Sequence, residues 1–323
     1  HYWDSATHNE DYQISKLPRV ADNFRSGYSF VSSGKLIFYN LANKQQFSLG
    51  ENGSYNNLSK RRIQLNKFTT SNIDLFQEGD TILACSHSNG KCKGIDIYPT
   101  TFPYVYLKRN GKTLAITNWG DAVMFDGSEW CRMSRSPADV FECNPGEPRV
   151  EKPRAIQFYS SIEFEDKTLV GEWPTGSIYE FDGEKLFPST YWTPPKFHSR
   201  ERIGYEAQSM GMYCGDLFVG YWPRGEVWRF DYKSRTWSLF HRFFTDRTPD
   251  AFIPYVYRTA DQLDPAFFGQ RITSLTPYKD SIYVTTSNLR GWTDETIQDV
   301  VFSDELDQYG AVYKIHKDGC ITN

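Results

Sequence analysis

TLVGEWPTGSIYEFDGEKL at residues 168–186 and LFVGYWPRGEVWRFDYKSRTW at residues 217–237 are two copies of one phrase. Each copy runs through an apolar strand, a Gly, an aromatic or acidic residue before Trp-Pro, a second Gly, a second strand and a Phe-Asp turn. Residues 113–130 (TLAITNWGDAVMFDGSEW) form a fainter copy, and residues 281–319 form a fourth with a long insert. Repetition at this period indicates a repeat array such as a propeller or a solenoid.

Short strands separated by polar turns surround each copy, so one repeat contains four antiparallel strands. Four such strands repeated around an axis make a β-propeller, in which radial closure protects the sheet edges. The pattern therefore predicts an all-β fold, with residues 1–323 as a single β-propeller of about six blades, five or seven being alternatives. Residues 1–27 are predicted to be an arm or the segment that closes the ring, and a helix is predicted within residues 294–306. The second strands are predicted to begin near Lys35, Thr81, Thr113, Thr168, Leu217 and Ile282.

Composition limits the classes of partner. The net charge of -4 argues against nucleic acid, because phosphate binding needs a basic surface. The sequence has no apolar run of the length of about 20 residues that a membrane-spanning helix needs. Aromatic residues make up 16% of the chain, which suits half-buried strands and also stacking on flat ligands.

The six cysteines permit three disulfides, and Cys85 with Cys92 and Cys131 with Cys143 are close enough in sequence to bridge local loops. No pair has the CxxC spacing typical of zinc sites, so no metal and no cofactor is predicted. Acceptor sequons for glycosylation begin at Asn52 and Asn57. These features favour an extracellular or periplasmic protein, the alternative being buried thiols in the cytosol.

The repeat resembles β-propellers as a class over residues 28–323. The strand-Asp-turn-Trp order of residues 227–237 is similar to the end of a kelch blade, although the kelch diglycine is missing. The turn at residues 125–130 is similar to the Asp-box of sialidase-type propellers, without that motif's full spacing. The composition of the loops also resembles, more loosely, propeller polysaccharide lyases of the ulvan and oligogalacturonate type. That resemblance implies cleavage of a uronate-containing chain by β-elimination.

Three long loops are predicted to gather on one face of the propeller, at residues 131–154, 189–206 and 241–271, and convergent loops are the expected functional surface. They concentrate Arg, Lys, His and aromatic residues in an acidic chain, which favours an acidic polysaccharide as partner. Lyase chemistry needs a base, an acid and a cation that neutralises the carboxylate. The candidate catalytic residues are His198, Tyr205, His241 and Tyr255. The candidate substrate-binding residues are Arg202, Arg258, Arg271, Arg224, Trp173, Trp192 and Trp222.

Each of these residue types also has a structural explanation. A Trp at one position of every blade is more often a packing residue, and loop histidines are usually solvated. Asp126, Asp182 and Asp231 recur before the fourth strand, where turn chemistry explains them better than catalysis. A non-catalytic lectin or protein-interaction propeller is therefore one alternative function. A glycoside hydrolase with a carboxylate pair among Asp121, Glu172 and Glu206 is another.

Overall fold

The computed structural model describes residues 11–22, 24, 27–41, 43–60, 67–144, 146, 156–198, 204–244, 270–287 and 306–320. The first strands in chain order are β1 (Tyr12–Lys16), β2 (Gly27–Ser32), β3 (Lys35–Asn40), β4 (Gln45–Leu49), β5 (Tyr55–Lys60), β6 (Lys67–Thr69), β7 (Ile73–Glu78), β8 (Thr81–Ser86), β9 (Cys92–Asp96), β10 (Pro103–Arg109), β11 (Lys112–Thr117) and β12 (Ala122–Phe125). They are followed by β13 (Trp130–Arg135), β14 (Phe141–Cys143), β15 (Gln157–Phe164), β16 (Lys167–Trp173), β17 (Ile178–Phe181), β18 (Lys185–Pro188), β19 (Glu206–Tyr213), β20 (Asp216–Trp222), β21 (Glu226–Asp231), β22 (Thr236–Arg242), β23 (Arg271–Tyr278), β24 (Ser281–Ser287) and β25 (Val312–Lys317). Short 3-10 turns lie at Pro195–Phe197 and Leu306–Gln308.

The chain divides into two compact units, His1–Arg62 with Gly204–Asn323, and Ile63–Ile203. In the first unit, β2-β3-β4-β5 and β19-β20-β21-β22 are four-stranded antiparallel meanders. The third sheet has the order β1-β25-β24-β23, so the N-terminal strand completes the last sheet of the chain. Tyr12 of β1 is buried in a core that includes Phe218, Phe240 and Ile282.

In the second unit, β6 to β9 form one four-stranded sheet, and β10 to β18 form a sheet of nine strands. The nine strands are two meanders, β10 to β13 and β15 to β18, joined because the short strand β14 pairs with both β13 and β18. Residues from both meanders share one core, where the Phe158 and Tyr179 rings meet edge to face with centroids 5.1 Å apart. No helix longer than a 3-10 turn occurs in the described residues, and most of the helix predicted at 294–306 lies outside them.

The predicted fold class is confirmed in its all-β content and its propeller-type sheets of four antiparallel strands. One predicted strand is wrong, because Thr81 begins the third strand of its sheet and not the second. The cause is the three-residue strand β6, which precedes β7 and has too few residues to show an alternating pattern. The number of blades and the single-domain organisation stay predictions.

The Asp of the repeated phrase has the turn role predicted for it. Asp126 Oδ1 accepts hydrogen bonds from the backbone N–H groups of Ser128 and Glu129, at 2.8 and 2.7 Å. These backbone donors favour the ionised form and hold the pKa of Asp126 below its ordinary value. Asp182 and Asp231 accept the same kind of backbone hydrogen bonds two and three residues downstream. The Asp therefore closes the hairpin before the last strand of three meanders, β10 to β13, β15 to β18 and β19 to β22.

All six cysteines form disulfides. The two local pairs, Cys85–Cys92 and Cys131–Cys143, are those that the spacing predicts. The third, Cys214–Cys320, spans 106 residues and ties the β19–β20 hairpin to the segment that follows β25. No helix long and apolar enough to cross a membrane occurs in the described residues.

Candidate functional site

The first strands of four meanders share an irregularity near their start. The pairing register shifts between Pro103 and Val105 in β10, and the equivalent shift interrupts β15, β19 and β23. Bulges of this kind redirect a side chain and are common beside binding sites. The residues inside the four shifts are Tyr104, Tyr159, Gln208 and Thr273. Each unit thus has two redirected side chains at one end of its first strands.

In the second unit, the redirected side chains form an aromatic surface consisting of Phe102, Tyr104 and Tyr159. The ring centroids of Tyr104 and Tyr159 are 5.4 Å apart, and those of Phe102 and Tyr104 are 5.2 Å apart. Phe102 is 39% exposed and Tyr104 is 41% exposed, while Tyr159 is half-buried. Rings that are exposed but already packed against one another present apolar faces to a ligand. They lose little conformational entropy on binding, because their positions are already fixed.

The aromatic surface is fixed by hydrogen bonds to its neighbours. The Phe102 N–H donates to Asn118 Oδ1 at 3.0 Å, and the Asn118 N–H donates back to the Phe102 carbonyl at 2.9 Å. The Tyr159 hydroxyl group donates to Gln157 Oε1. Trp119, which is 44% exposed, follows Asn118 in the β11–β12 loop.

Glu172, the acidic residue of the GEWP phrase, organises the loop that follows it. Its Oε2 atom accepts hydrogen bonds from the Thr175 N–H at 3.1 Å, the Thr175 hydroxyl at 2.7 Å and the Ser177 N–H at 3.3 Å. The residue is 2% exposed, and burial raises its pKa to about 7. A carboxyl this enclosed holds the loop with its cis Trp173–Pro174 bond and is closed to a large substrate.

In the first unit, the equivalent end of β19 and β23 holds a buried ion pair. Arg271 Nη2 donates to Glu206 Oε2 at 2.8 Å and to Oε1 at 3.2 Å, and the side chains are 11% and 2% exposed. Burial raises the pKa of Glu206 to about 7, against the opposing effect of the Arg271 charge. The predicted carboxylate clamp Arg271 is therefore engaged with a carboxylate of the chain itself.

The predicted residues of the second unit have different environments. His198 is exposed, directly after the 3-10 turn at Pro195–Phe197, and its Nε2 lies 2.8 Å from the Thr193 carbonyl oxygen. Trp192 is 3% exposed and packs edge to face on Phe164, with centroids 5.3 Å apart. Trp173 is half-buried beside Gln157 in the register of β15 and β16.

The predicted residues of the first unit lie along β19 to β23. Tyr205 is half-buried, and His241 is exposed on β22 with its ring centroid 4.7 Å from that of Phe243. Trp222 is 2% exposed and faces Glu206 across the β19–β20 pair. Arg224 forms an isolated parallel bridge with Gln270, and its carbonyl accepts a hydrogen bond from Arg242 Nε.

Trp222 and Arg271 share Glu206 as a neighbour, because Trp222 is its partner in the β19–β20 register and Arg271 is its ion-pair partner. Tyr255, Arg202 and Arg258 fall outside the described residues, as do parts of all three predicted loops. Convergence of the predicted catalytic set stays a prediction. Sequence reasoning missed the Phe102, Tyr104 and Tyr159 surface. Its signal was TFPYVY at residues 101–106 and QFYSS at 157–161, where aromatics open the first strand of consecutive repeats.

No protein-family model and no curated protein matches this sequence. Similar solved structures include a calcium-binding protein, regucalcin, from Agrobacterium tumefaciens, with a TM-score of 0.49, 11% identity and coverage of 95% of both chains. Virginiamycin B lyase from Staphylococcus aureus has a TM-score of 0.42 and 10% identity, over 94% of this chain and 99% of that one. BamB from Moraxella catarrhalis has a TM-score of 0.36 and 14% identity, over 89% and 71%. These are β-propeller proteins. Likeness at this level carries no argument about a ligand or a reaction, and the resemblance to polysaccharide lyases stays a prediction.

Proposed function

We propose that this protein binds an acidic polysaccharide in an extracellular or periplasmic space, with sugar rings stacked on the aromatic surface of Phe102, Tyr104 and Tyr159. The observation that carries the proposal is the packed and exposed Tyr104–Tyr159 pair at the start of β10 and β15. Aromatic faces of this kind suit the flat apolar faces of sugars. The three disulfides support an oxidising compartment.

The acidic class of ligand is supported by the charges of the sequence. Residues 189–206 and 241–271 concentrate Arg, Lys and His in a chain whose net charge is -4. Cationic side chains in an acidic protein favour an anionic ligand. A neutral polysaccharide could stack on the aromatic surface equally well, so the experiment compares both classes.

The test is binding of uronate oligosaccharides and of neutral glucans to the protein and to Tyr104→Ala/Tyr159→Ala. Loss of two stacking contacts at about 1 kcal/mol each should weaken uronate binding by a factor of at least about 10. Tyr232→Ala is the matched control, because Tyr232 is 43% exposed and lies at the β21–β22 turn of the other unit. Equal binding of neutral glucans would overturn the acidic class, and unchanged binding by the double variant would overturn the aromatic surface.

A second candidate function is cleavage of that polysaccharide by β-elimination. The observation that favours it is the His198 ring, whose Nε2 lies 2.8 Å from the Thr193 carbonyl oxygen. A carbonyl only accepts hydrogen bonds, so in the neutral ring Nε2 carries the proton and Nδ1 is the basic nitrogen. Nδ1 would take the proton α to the uronate carboxylate as a C=C bond forms. The bond from carbon to the leaving sugar oxygen breaks, and that oxygen takes a proton from water.

The readout for cleavage is the ultraviolet absorbance of the unsaturated uronate. His198→Ala should abolish it with the fold intact, whereas His316→Ala, a substitution on β25, should leave it unchanged. Binding without new absorbance and without new reducing ends would remove both elimination and the hydrolase alternative. The binding function would then stand by itself.

A further inference from the structure

A cleft of about 770 Å³ lies in the second unit, between the sheet of β6 to β9 and the meander of β10 to β13. Its walls are the turns β6–β7, β8–β9, β10–β11 and β12–β13, which lie at the end of these sheets opposite the aromatic surface. The seven residues of β10 separate Tyr104 at one end from Lys108 at the other. At about 3.3 Å per residue the four steps from Tyr104 to Lys108 span about 13 Å, so the two surfaces lie near opposite ends of β10.

The charge of the cleft differs from that of the whole chain. Its described lining residues include Lys91, Lys93, Lys108 and His87, and none of them is Asp or Glu. The chain as a whole carries 40 acidic residues against 36 Lys and Arg. Because every Lys, Arg, Asp or Glu in the described lining is a Lys, positive potential is concentrated within the concave surface, where it attracts anions.

Two of the lysines are available to a ligand. Lys93 forms an ion pair with Glu129, and His87 Nε2 lies 3.2 Å from Asp74 Oδ1. No salt bridge within the described residues involves Lys91 or Lys108, and both residues are exposed. A ligand can bind these two ammonium groups without breaking any ion pair of the described residues, none of which neutralises their positive charge.

The remaining lining is rich in neutral hydrogen-bonding groups. Hydroxyl and amide side chains line it at Ser71, Asn72, Ser88, Asn89, Thr113 and Ser128. Groups of this kind suit the hydroxyls of a sugar, and the volume suits an oligosaccharide of a few rings. The β8–β9 turn is closed by the Cys85–Cys92 disulfide, so one wall of the cleft is fixed before a ligand arrives.

We propose that this lysine cleft, named for Lys91, Lys93 and Lys108, binds a sulfated or carboxylated oligosaccharide. It is a second anion-binding site, apart from the aromatic surface. Lys91 and Lys108 neutralise the anionic groups, and the hydroxyl and amide side chains bind the sugar hydroxyls. The inference does not depend on the proposed function, because no residue of the aromatic surface lines the cleft.

The test is calorimetric binding of a heparin-derived tetrasaccharide, which carries both sulfate and carboxylate groups. Lys91→Ala/Lys108→Ala should weaken binding about 10-fold, with about 30-fold as the upper limit, because two exposed ion pairs at up to about 1 kcal/mol each are lost. The matched control is Lys35→Ala/Lys185→Ala, which removes the same charge from exposed positions that do not line the cleft. The control should bind like the unchanged protein.

Equal weakening in the control, or no weakening in either variant, would overturn the proposal. Binding lost only in Tyr104→Ala/Tyr159→Ala would assign the tetrasaccharide to the aromatic surface and also overturn it. Inorganic sulfate and a single-stranded oligonucleotide complete the series. Tighter Lys91- and Lys108-dependent binding of the oligonucleotide than of the tetrasaccharide would replace the proposed ligand class with nucleic acid. If inorganic sulfate displaces the tetrasaccharide when both are present at the same concentration, the sugar rings contribute nothing to binding. That result would overturn the oligosaccharide as the ligand class.

Discussion

The Tyr12 hydroxyl group donates a hydrogen bond of 3.1 Å to Asp216 Oδ2, across 204 residues of sequence. The same oxygen accepts a hydrogen bond of 2.8 Å from Arg229 Nε, and the guanidinium carbon of Arg229 lies 5.1 Å from the Tyr12 ring centroid. Burial raises the pKa of Tyr12, so its hydroxyl stays protonated and remains a donor. The N-terminal strand is thus bound by a side-chain contact in addition to its backbone pairing with β25.

Tyr12→Phe should lower the free energy of unfolding by about 2 kcal/mol, because a hydrogen bond to a charged group is lost and Asp216 keeps its other partners. Chemical denaturation measures this loss. Tyr232→Phe, at an exposed turn, is the control and should change stability by less than about 0.5 kcal/mol. Equal stabilities of the Tyr12 variant and the unchanged protein would show that the hydroxyl contributes nothing to holding the N-terminal strand.

Gly220→Ala should destabilise the fold by about 2 to 3 kcal/mol through overpacking. A Cβ atom at this position would lie 2.5 Å from Ser209 Oγ and 2.6 Å from Ile272 Cβ. Gly34→Ala is the comparison, because Gly34 has a φ of +71° and no atom within 4 Å of its Cβ position. That change costs only the backbone strain, about 1 kcal/mol. A larger loss of stability at Gly34 than at Gly220 would contradict overpacking as the cause of the effect at Gly220.

Glu172 should make stability fall as the pH rises. Burial raises its pKa from 4.5 to about 7, so the folded state retains a proton that the unfolded chain has lost between these values. The stability that this proton contributes is complete below about pH 4.5 and is lost by about pH 7. The free energy of unfolding therefore falls by about 3 kcal/mol over this range. The glutamine in Glu172→Gln cannot titrate, so this variant should show a weaker pH dependence of the free energy of unfolding. Chemical denaturation at several pH values measures it.

The buried Glu206 has a raised pKa as well, so the Glu172→Gln variant should retain part of the dependence. Glu184→Gln is the control, since the Glu184 side chain is 74% exposed. An unchanged pH dependence in Glu172→Gln would mean that this carboxyl is ionised in the folded protein at low pH. Its three hydrogen bonds would then outweigh its burial.

Removal of the Cys214–Cys320 disulfide should cost more stability than removal of Cys85–Cys92. The first closes a loop with a sequence separation of 106 and the second a loop with a separation of 7. Loop-closure entropy predicts losses of about 5 and about 2 kcal/mol for the two double Cys→Ser variants. Denaturation of both variants under non-reducing conditions measures the difference, and a reversed order would exclude chain entropy as the main cause.

Much of the fold could be predicted because each copy of the repeated phrase contains the same turn-forming Asp. Asp126, Asp182 and Asp231 each close a hairpin through hydrogen bonds to residues two and three positions ahead, so short-range sequence carries the information. The two local disulfides follow from spacing for the same reason. The prediction that Thr81 begins a second strand is wrong because β6 has only three residues, too few to show an alternating pattern.

Much less of the candidate site could be predicted. The Arg and Trp residues predicted to bind substrate look accessible in the sequence, yet Arg271 is bound to Glu206 and Trp222 is buried. Their environments depend on strands that lie next to one another only in the folded chain. Tyr104 and Tyr159 are separated by 55 positions and meet because equivalent bulges occur in two first strands.

The sequence by itself determined the four-stranded repeat, its Asp turns and its local disulfides, since each depends on residues close together in the chain. Only the tertiary structure decided that Tyr12 completes the last sheet against Asp216, that the aromatic rings of two first strands form one surface, and that basic turns of two neighbouring sheets enclose a cleft. These features depend on contacts between distant segments, and such contacts are fixed by packing and register, which no local pattern encodes.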